Sequence, residues 1–371
     1  MTLLKALAVL LAGLCLASVC YGAPENSPGK KRLLVVSSYH REYRLSQQSN
    51  EGFCAAMLKL GYFDRKDQAD DYTKNDHVET SKVVIKKMWM DSKRKNSSAD
   101  KEEMSIKIYR AAQDFMPDLI FLGDDNAADY IGRKYLDSHV PIVFWGLNNN
   151  PAKYGLLDRA DKPGHNVTGV YQSGYYVESL QLLKSTVPDV TTFAVLSDNT
   201  PSGRSHTKKI KYYARKSALP LTLVETVSTS DYEQWKKKAL ELQEKVDAFF
   251  TAQYSGLKDK KGNYVPTSKV ANWYVSHIKI PEAAGFKFII EEGMLCGVDD
   301  SHYNQGYEAA LIAHDILAKG ANPASYPPRT PDRGPLMVNK KRAEMLGIKL
   351  TQDMGIEEYI EEASALKEGG K

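Results

Sequence analysis

Ser37, Ser38, Tyr39 and His40 stand directly after the apolar run Leu33 to Val36, where a serine hydroxyl and an imidazole close in sequence raise the question of nucleophilic catalysis. That chemistry needs a base within hydrogen-bond reach of the hydroxyl and a third group to orient the base. On an extended strand end, a serine and a histidine two or three residues apart point in different directions, and no orienting acid or oxyanion glycine stands nearby. An exported hydrolase using Ser37 or Ser38 with His40 is therefore the least supported reading. Other signatures are missing too: there is no Gly-x-Ser-x-Gly elbow, no phosphate-binding glycine loop and no His-Glu-x-x-His. "GDDNAADY", from Gly123, gathers acids as a calcium loop does but lacks the glycine at the sixth loop position. The eight histidines show no ligand spacing, and His302 beside Asp299 and Asp300 reads as helix capping. No catalytic residue, metal or cofactor is expected.

What recurs is a polar group after an apolar run: Asp124, Asp125 and Asn126 after "IFLG", Asn148 after "VFWGL", and Gln172 and Ser173 after "TGVY". Asp198, Asn199 and Thr200 follow "AVLS", and Gln253 and Tyr254 close "FFTA". In open parallel sheets the carboxyl ends of the strands face the ligand crevice. Asp, Asn and Ser in these places also cap the following helix, so each has a structural use beside a binding one. Ser202 or Ser205 is a candidate cap of this kind. Aromatic residues gather at the same ends, among them Tyr39, Tyr43, Trp145, Tyr171 and Tyr254, which points to an organic ligand rather than a bare ion.

The elements that position these ends alternate strand and amphipathic helix. Strands are expected at "LLVV", "DLIFLG", "PIVFWG", "NVTGVY", "TFAVLS", "LTLVETV", "DAFFTA" and "FKFII", several of them apolar on both faces, as a helix-covered parallel sheet requires. Phe53, Met57 and Leu60 keep helical period, as do Trp235, Ala239, Leu242 and Val246 behind a Ser230/Glu233 capping box. "DSKRKNSSADKEE" reads as a solvated charged insert, and the Asn-, Pro- and Gly-rich stretch from Gly146 to Asn166 divides two α/β lobes.

At 371 residues, 42% hydrophobic and 26% charged, the chain suits a soluble protein of about two domains. Residues 1–22 carry one lysine, an apolar run and a small-residue end, which is a signal peptide with the cut after Gly22. The mature chain is then exported, periplasmic or otherwise, and its mild formal charge of +4 before processing names no nucleic-acid partner. Cys54 and Cys296 remain after processing, either as a disulfide or as two buried thiols.

"NVTGVYQSGYYVESLQLLKSTVPDV", "PIVFWGLNNNPAKYGLL" and the closing stretch "GMLCGVDDSHYNQGYEAALIAHDILAKG" to "KKRAEMLGI" resemble the ABC transporter substrate-binding proteins related to tryptophan- and phenylalanine-binding proteins. The likeness runs from Arg32 to Ile348. It implies a type I periplasmic binding fold, α/β, with two Rossmann-like lobes of parallel sheet joined by three crossings. Carried over, the N-terminal lobe is residues 30–148 plus 293–319 and the C-terminal lobe 166–292 plus 330–350. The hinges then fall near 148–166, 291–295 and 321–328. The resemblance implies a monomer that captures a small organic solute, such as an aromatic amino acid or related carboxylate, and delivers it to an ABC permease. Ser38, Asp125 and Asn126 would meet the solute from one side, and Asn199, Ser202 and Gln253 from the other. Tyr39, His40, Asp124, Trp145, Asn148, Tyr171, Tyr254 and Glu291 complete the expected rim. Gln253 and Tyr254 stand where the family's strand ends in Asp-Asn, and Asn150 replaces the Asp of its Asp-Pro turn. Some relatives with a similar Ser-Tyr-His are sensor domains of receptors, so partnership with a membrane sensor kinase is the alternative.

Overall fold

Strands with both faces apolar need cover on both sides, and the chain supplies it with two sheets wrapped by helices. The computed structural model describes residues 29–364, and the signal-peptide reading of residues 1–22 lies outside them. The first sheet has six strands: β1 (Lys31–Ser37), β2 (His77–Glu79), β3 (Val83–Trp89), β4 (Leu119–Gly123), β5 (Ile142–Leu147) and β6 (Val167–Tyr171). Their order is β2-β3-β1-β4-β5-β6, parallel except that β2 runs antiparallel to β3. The second sheet has seven: β7 (Thr192–Ser197), β8 (Thr222–Ser228), β9 (Ala248–Gln253), β10 (Glu282–Ala284), β11 (Cys296–Val298), β12 (Leu336–Asn339) and β13 (Glu358–Ile360). They lie in the order β13-β12-β11-β10-β9-β7-β8, with only the β11–β12 pair antiparallel.

Register turns this topology into a site. Ser37 lies opposite both Trp89 and Gly123, and Gly123 opposite Trp145, so the carboxyl ends of four strands reach one edge together. Helix Arg44–Lys59 leaves that edge and packs along helix His302–Lys319. The two approach so closely that a Cβ on Gly52 would sit 1.9 Å from the Tyr303 carbonyl oxygen, and one on Gly306 2.0 Å from that of Ser49. Only glycine allows this approach, which carries the late helix back onto the first lobe. In the second lobe, buried Arg342 binds the equally buried Glu282 carboxylate at 3.0 and 2.9 Å and ties β10 to the C-terminal helix.

Several expectations are corrected. "FKFII" runs into helix Lys287–Glu292 and is not a strand; so short a mostly apolar run cannot tell a strand from a buried helix, and the neighbouring strand is the three-residue β10. β3 was absent from the expected strands because Lys86 and Lys87 interrupt its apolar run. Val167–Tyr171 belongs to the first sheet and Cys296–Val298 to the second, the reverse of the expected lobe assignment, because each hydrogen-bonds into the other sheet. The crossings therefore lie at residues 172–175, 299–301 and 330–335 instead of 148–166, 291–295 and 321–328. The helix Tyr232–Leu242 is capped by Asp231, one residue after Ser230, and helix Pro201–Arg215 by Thr200 rather than Ser202 or Ser205. Cys54 and Cys296 are buried free thiols in different lobes. No described helix is long and apolar enough to cross a membrane.

Candidate functional site: the cleft between the lobes

The loops at the strand ends of the two sheets touch. Tyr39 Oη lies 3.0 Å from Ser202 Oγ, and Tyr43 Oη 3.1 Å from Ser255 Oγ. Ser205 Oγ donates to the Asn148 carbonyl at 3.1 Å, and at the rim Arg44 pairs with Glu291 at 3.3 Å. Tyr39, Tyr43 and Leu45 pack into an apolar cluster made otherwise of second-lobe residues. The lobes are thus closed on one another.

Inside this contact lie charges with no countercharge in contact among the described residues. Lys93 is 4% exposed, and its Nζ has no hydrogen-bond partner among the described residues. It sits 4.7 Å from the Tyr39 ring centroid and 5.2 Å from that of Tyr43. Burial pulls its pKa down, against the opposing pull of Asp198, Asp124 and Asp125. Asp124, equally buried and held in the left-handed region at φ 66°, has its pKa raised well above the usual carboxylate range, first by burial and then by the Asp125 charge.

Acceptors surround Asp124. His302 Nδ1 lies 3.1 Å from the Asp300 carbonyl, which assigns the proton there and leaves Nε2, 4.0 Å from Asp124 Oδ1, as an acceptor. Burial pushes the His302 pKa down to about 4, so the ring is neutral at pH 7. A Cβ on Gly146 would stand 2.9 Å from Asp124 Oδ1 and 3.3 Å from Gln305 Oε1, so a glycine keeps that space open. Among the described residues Gln305 Oε1 and Asn148 Oδ1 are buried without hydrogen-bond partners, as is His206 Nε2, whose ring meets Phe286 edge-on at 5.3 Å. The cluster can hold a donor-rich cation against Asp124 and an anion against Lys93.

The sequence model of the ABC transporter substrate binding protein family matches residues 78–358. The chain belongs to this family. Its fold is that of the type I periplasmic binding proteins. A tyrosine-binding protein of Clostridioides difficile is 23% identical over 377 residues, covering 94% of each chain. Among solved structures, an ABC domain in complex with L-Trp from Streptococcus pneumoniae aligns with a TM-score of 0.67 at 20% identity, over 89% of this chain and 100% of that one. A ligand-free, open substrate-binding protein with adhesive properties from Clostridium difficile gives 0.63 at 21%, over 89% and 99%.

Within this substrate-binding protein the expected rim residues separate into groups. Tyr39, Asp124, Asn148, Ser202 and Gln253 come together at the lobe contact; Gln253 Nε2 reaches Tyr43 Oη at 3.4 Å while its Oε1 caps Tyr254 and Ser255. His40 is buried beside Tyr43 and Tyr264, with its pKa lowered by burial and then by Arg94. Asn126 donates to Ser92 at 2.9 Å, next to Lys93.

Others serve the scaffold. Ser38 Oγ donates to the Gly123 carbonyl at 2.6 Å and accepts from Ala127 N at 2.8 Å, which clamps β1 to β4. Asp125 accepts from Asn148 N, Asn149 N and Tyr154 Oη and so holds the loop after β5. Trp145 packs with Phe53 and Phe121 in the first-lobe core, Tyr171 lies against Phe144, and Tyr254 reaches inward to Glu292. Asn199 is exposed and accepts from Arg204, and Glu291 is the rim partner of Arg44. Neither Ser37 nor Ser38 hydrogen-bonds His40 among the described residues; Ser37 Oγ faces Ser46 at 3.5 Å. No Ser/His pair is assembled.

Sequence reasoning missed Lys93, His206 and Gln305, and read His302 only as a cap. Lys93 lay in a run of charges read as solvated. Recognising β3 would have made residues 90–93 one more strand-end loop, with the same claim on the cleft as Asp124.

Proposed function

We propose that this substrate-binding protein closes on a zwitterionic amino acid, with the ligand ammonium on Asp124, Gln305 Oε1 and His302 Nε2 and its carboxylate on Lys93. The observation that carries the reading is the buried Asp124 and Lys93, two opposite charges left unpaired between the lobes. Charges in that situation cost several kcal/mol unless a partner arrives, and one α-amino acid answers both. Tyr39, Tyr43 and Phe286 supply an apolar wall for its side chain. The protein's relatives, a tyrosine-binding protein and a domain in complex with L-Trp, support the same class. In this proposal the mature chain acts in the periplasm as a monomer after loss of residues 1–22. The two lobes move about the three crossings and present the solute to an ABC permease.

Native mass spectrometry of the purified protein, with a thermal-shift screen of the amino acids and of aromatic carboxylates, tests it. A ligand at 100 times its Kd adds about 2.7 kcal/mol of stability. Stabilisation by tyrosine, tryptophan or phenylalanine, and none by the corresponding carboxylates that lack the amine, is the expected pattern. No stabilisation by any amino acid sinks the reading.

A further inference from the structure

The first lobe holds a second cavity, of about 330 Å³, lined by Arg41, Ser46, Asn50, Asp76, Lys87 and Trp89 among others. It lies between the loop after β1, the first turns of helix Arg44–Lys59, the end of helix Lys66–Asn75 and the end of β3. None of these six side chains makes a hydrogen bond or ion pair to the second lobe. The volume equals that of roughly ten water molecules, enough for an organic acid of a few carbons.

Two groups in this cavity are under-used. Trp89 Nε1 donates to Asp76 Oδ2 at 2.7 Å, and the Arg41 guanidinium pairs with the same oxygen. Asp76 Oδ1 is left buried with no hydrogen-bond partner among the described residues. Lys87 is 7% exposed and donates to Asn50 Oδ1 at 2.9 Å, while its Nζ stands 4.2 Å from the Trp89 ring centroid. An ammonium carries three donors, and Asn50 takes one.

The charges define what fits. Arg41 and Asp76 neutralise one another, Asn50 is neutral and Glu51 is exposed, so Lys87 is the buried charge with no carboxylate in contact among the described residues, Asp124 of the cleft acting on it only at longer range. Burial pulls its pKa down to about 8, which leaves it mostly protonated at neutral pH and readily stabilised by an anion. A monoanion answers it, and a neutral hydroxyl suffices for Asp76 Oδ1, whose carboxylate already faces Arg41.

We propose that this cavity is a second binding site, for a small monocarboxylate bearing a hydroxyl next to its carboxyl group. The carboxylate accepts from Lys87 and the hydroxyl donates to Asp76 Oδ1. The proposal uses none of the cleft's residues and does not rest on the amino-acid reading, although the Lys87 charge acts at longer range on Asp124 of the cleft.

Isothermal titration of the purified protein with sodium D-gluconate, and in parallel with sodium acetate, which lacks the hydroxyl, tests it. The expected result is saturable gluconate binding, with acetate at least tenfold weaker. Lys87→Met abolishes the gluconate signal and Lys93→Met, in the cleft, leaves it in place. Equal binding of acetate, persistence in Lys87→Met, loss in Lys93→Met, or no saturable heat up to about 10 mM each overturns the site. Should Lys87→Met fail to fold by circular dichroism, Lys87→Gln, which keeps a donor for Asn50 but no charge, carries the same expectations.

Discussion

Lys93 and Asp124 make opposite demands on the free and the loaded protein. Each is buried without a countercharge in contact once the lobes close, so removing the charge while keeping the shape relieves ligand-free closure and harms the complex. Lys93→Met should therefore make closure of the ligand-free protein easier, by about 1–3 kcal/mol of relieved burial, and so shrink its ligand-free radius of gyration. The same substitution should weaken an amino-acid ligand by about 100-fold, the equivalent of roughly 3 kcal/mol. Small-angle scattering of the ligand-free variant beside isothermal titration separates the two; a ligand-free radius no smaller than that of the wild type would show that Lys93 does not oppose closure. Asp124 was legible in the sequence because it follows an apolar strand directly. Lys93 was not, because its neighbours Arg94 and Lys95 face solvent and the run reads by majority. Trp145 and Tyr254 were misplaced for the converse reason: a strand-end aromatic can turn into the cleft or back into the core, and its position in the sequence is the same in both.

At the scale of elements, the crossings are bound to one another. Ser173 N and Gly174 N donate to the Asp300 carboxylate at 3.3 and 2.7 Å, Gly334 N donates to the Asp299 carbonyl at 2.8 Å, and Tyr175 Oη donates to that of Pro331 at 3.0 Å. Burial pushes Asp299 up to about 7 and Asp300 up to about 6. A carboxyl raised in the fold contributes stability that is complete below its unfolded value near 4 and is lost as pH rises through the folded value. His302, pushed down to about 4, and His206 work the other way, losing stability as pH falls below about 6.5. The two trends oppose each other in the wild type. Asp299→Asn removes one carboxyl and still accepts from Lys287 N, so it should raise the melting temperature more at pH 8 than at pH 5. The difference is roughly 3 kcal/mol, from about two units of ionisation. Equal shifts at both values in differential scanning calorimetry would remove Asp299 from this account. The α/β alternation behind these elements was plain in the sequence, since it rests on hydrophobic period. The crossings were not, because "QSGY" and "DDS" look like any other capped strand end. The Pro- and Gly-rich 146–166 looks like a linker and is instead the connection from β5 to its parallel neighbour β6.

For the whole molecule, the balance between open and closed follows from what the lobes offer each other without solute. Across the cleft stand neutral hydrogen bonds such as Tyr39 to Ser202 and Tyr43 to Ser255, each worth about 0.5–1.5 kcal/mol net, and the half-exposed Arg44–Glu291 pair, worth about 0–1 kcal/mol. Against them closure buries Lys93 and Asp124 unpaired, at a cost of several kcal/mol. These terms nearly cancel, so closure waits for a ligand that converts the cost into two charge pairs. Moving such an equilibrium from 1:99 to 99:1 takes about 5.5 kcal/mol of differential binding, within reach of two buried charge pairs. Small-angle scattering should then show a radius of gyration that falls when an aromatic amino acid saturates the protein. Tyr39→Phe with Tyr43→Phe removes cross-lobe bonds made only on closure, so the double variant should keep the ligand-free radius and lose about tenfold in affinity. Arg44→Ala, at the solvated rim, should cost less than about fivefold. A ligand-free radius already equal to the loaded one would mean that the lobes hold themselves shut. Lys93 and Asp124 would then have to find partners in each other or in water rather than in a solute.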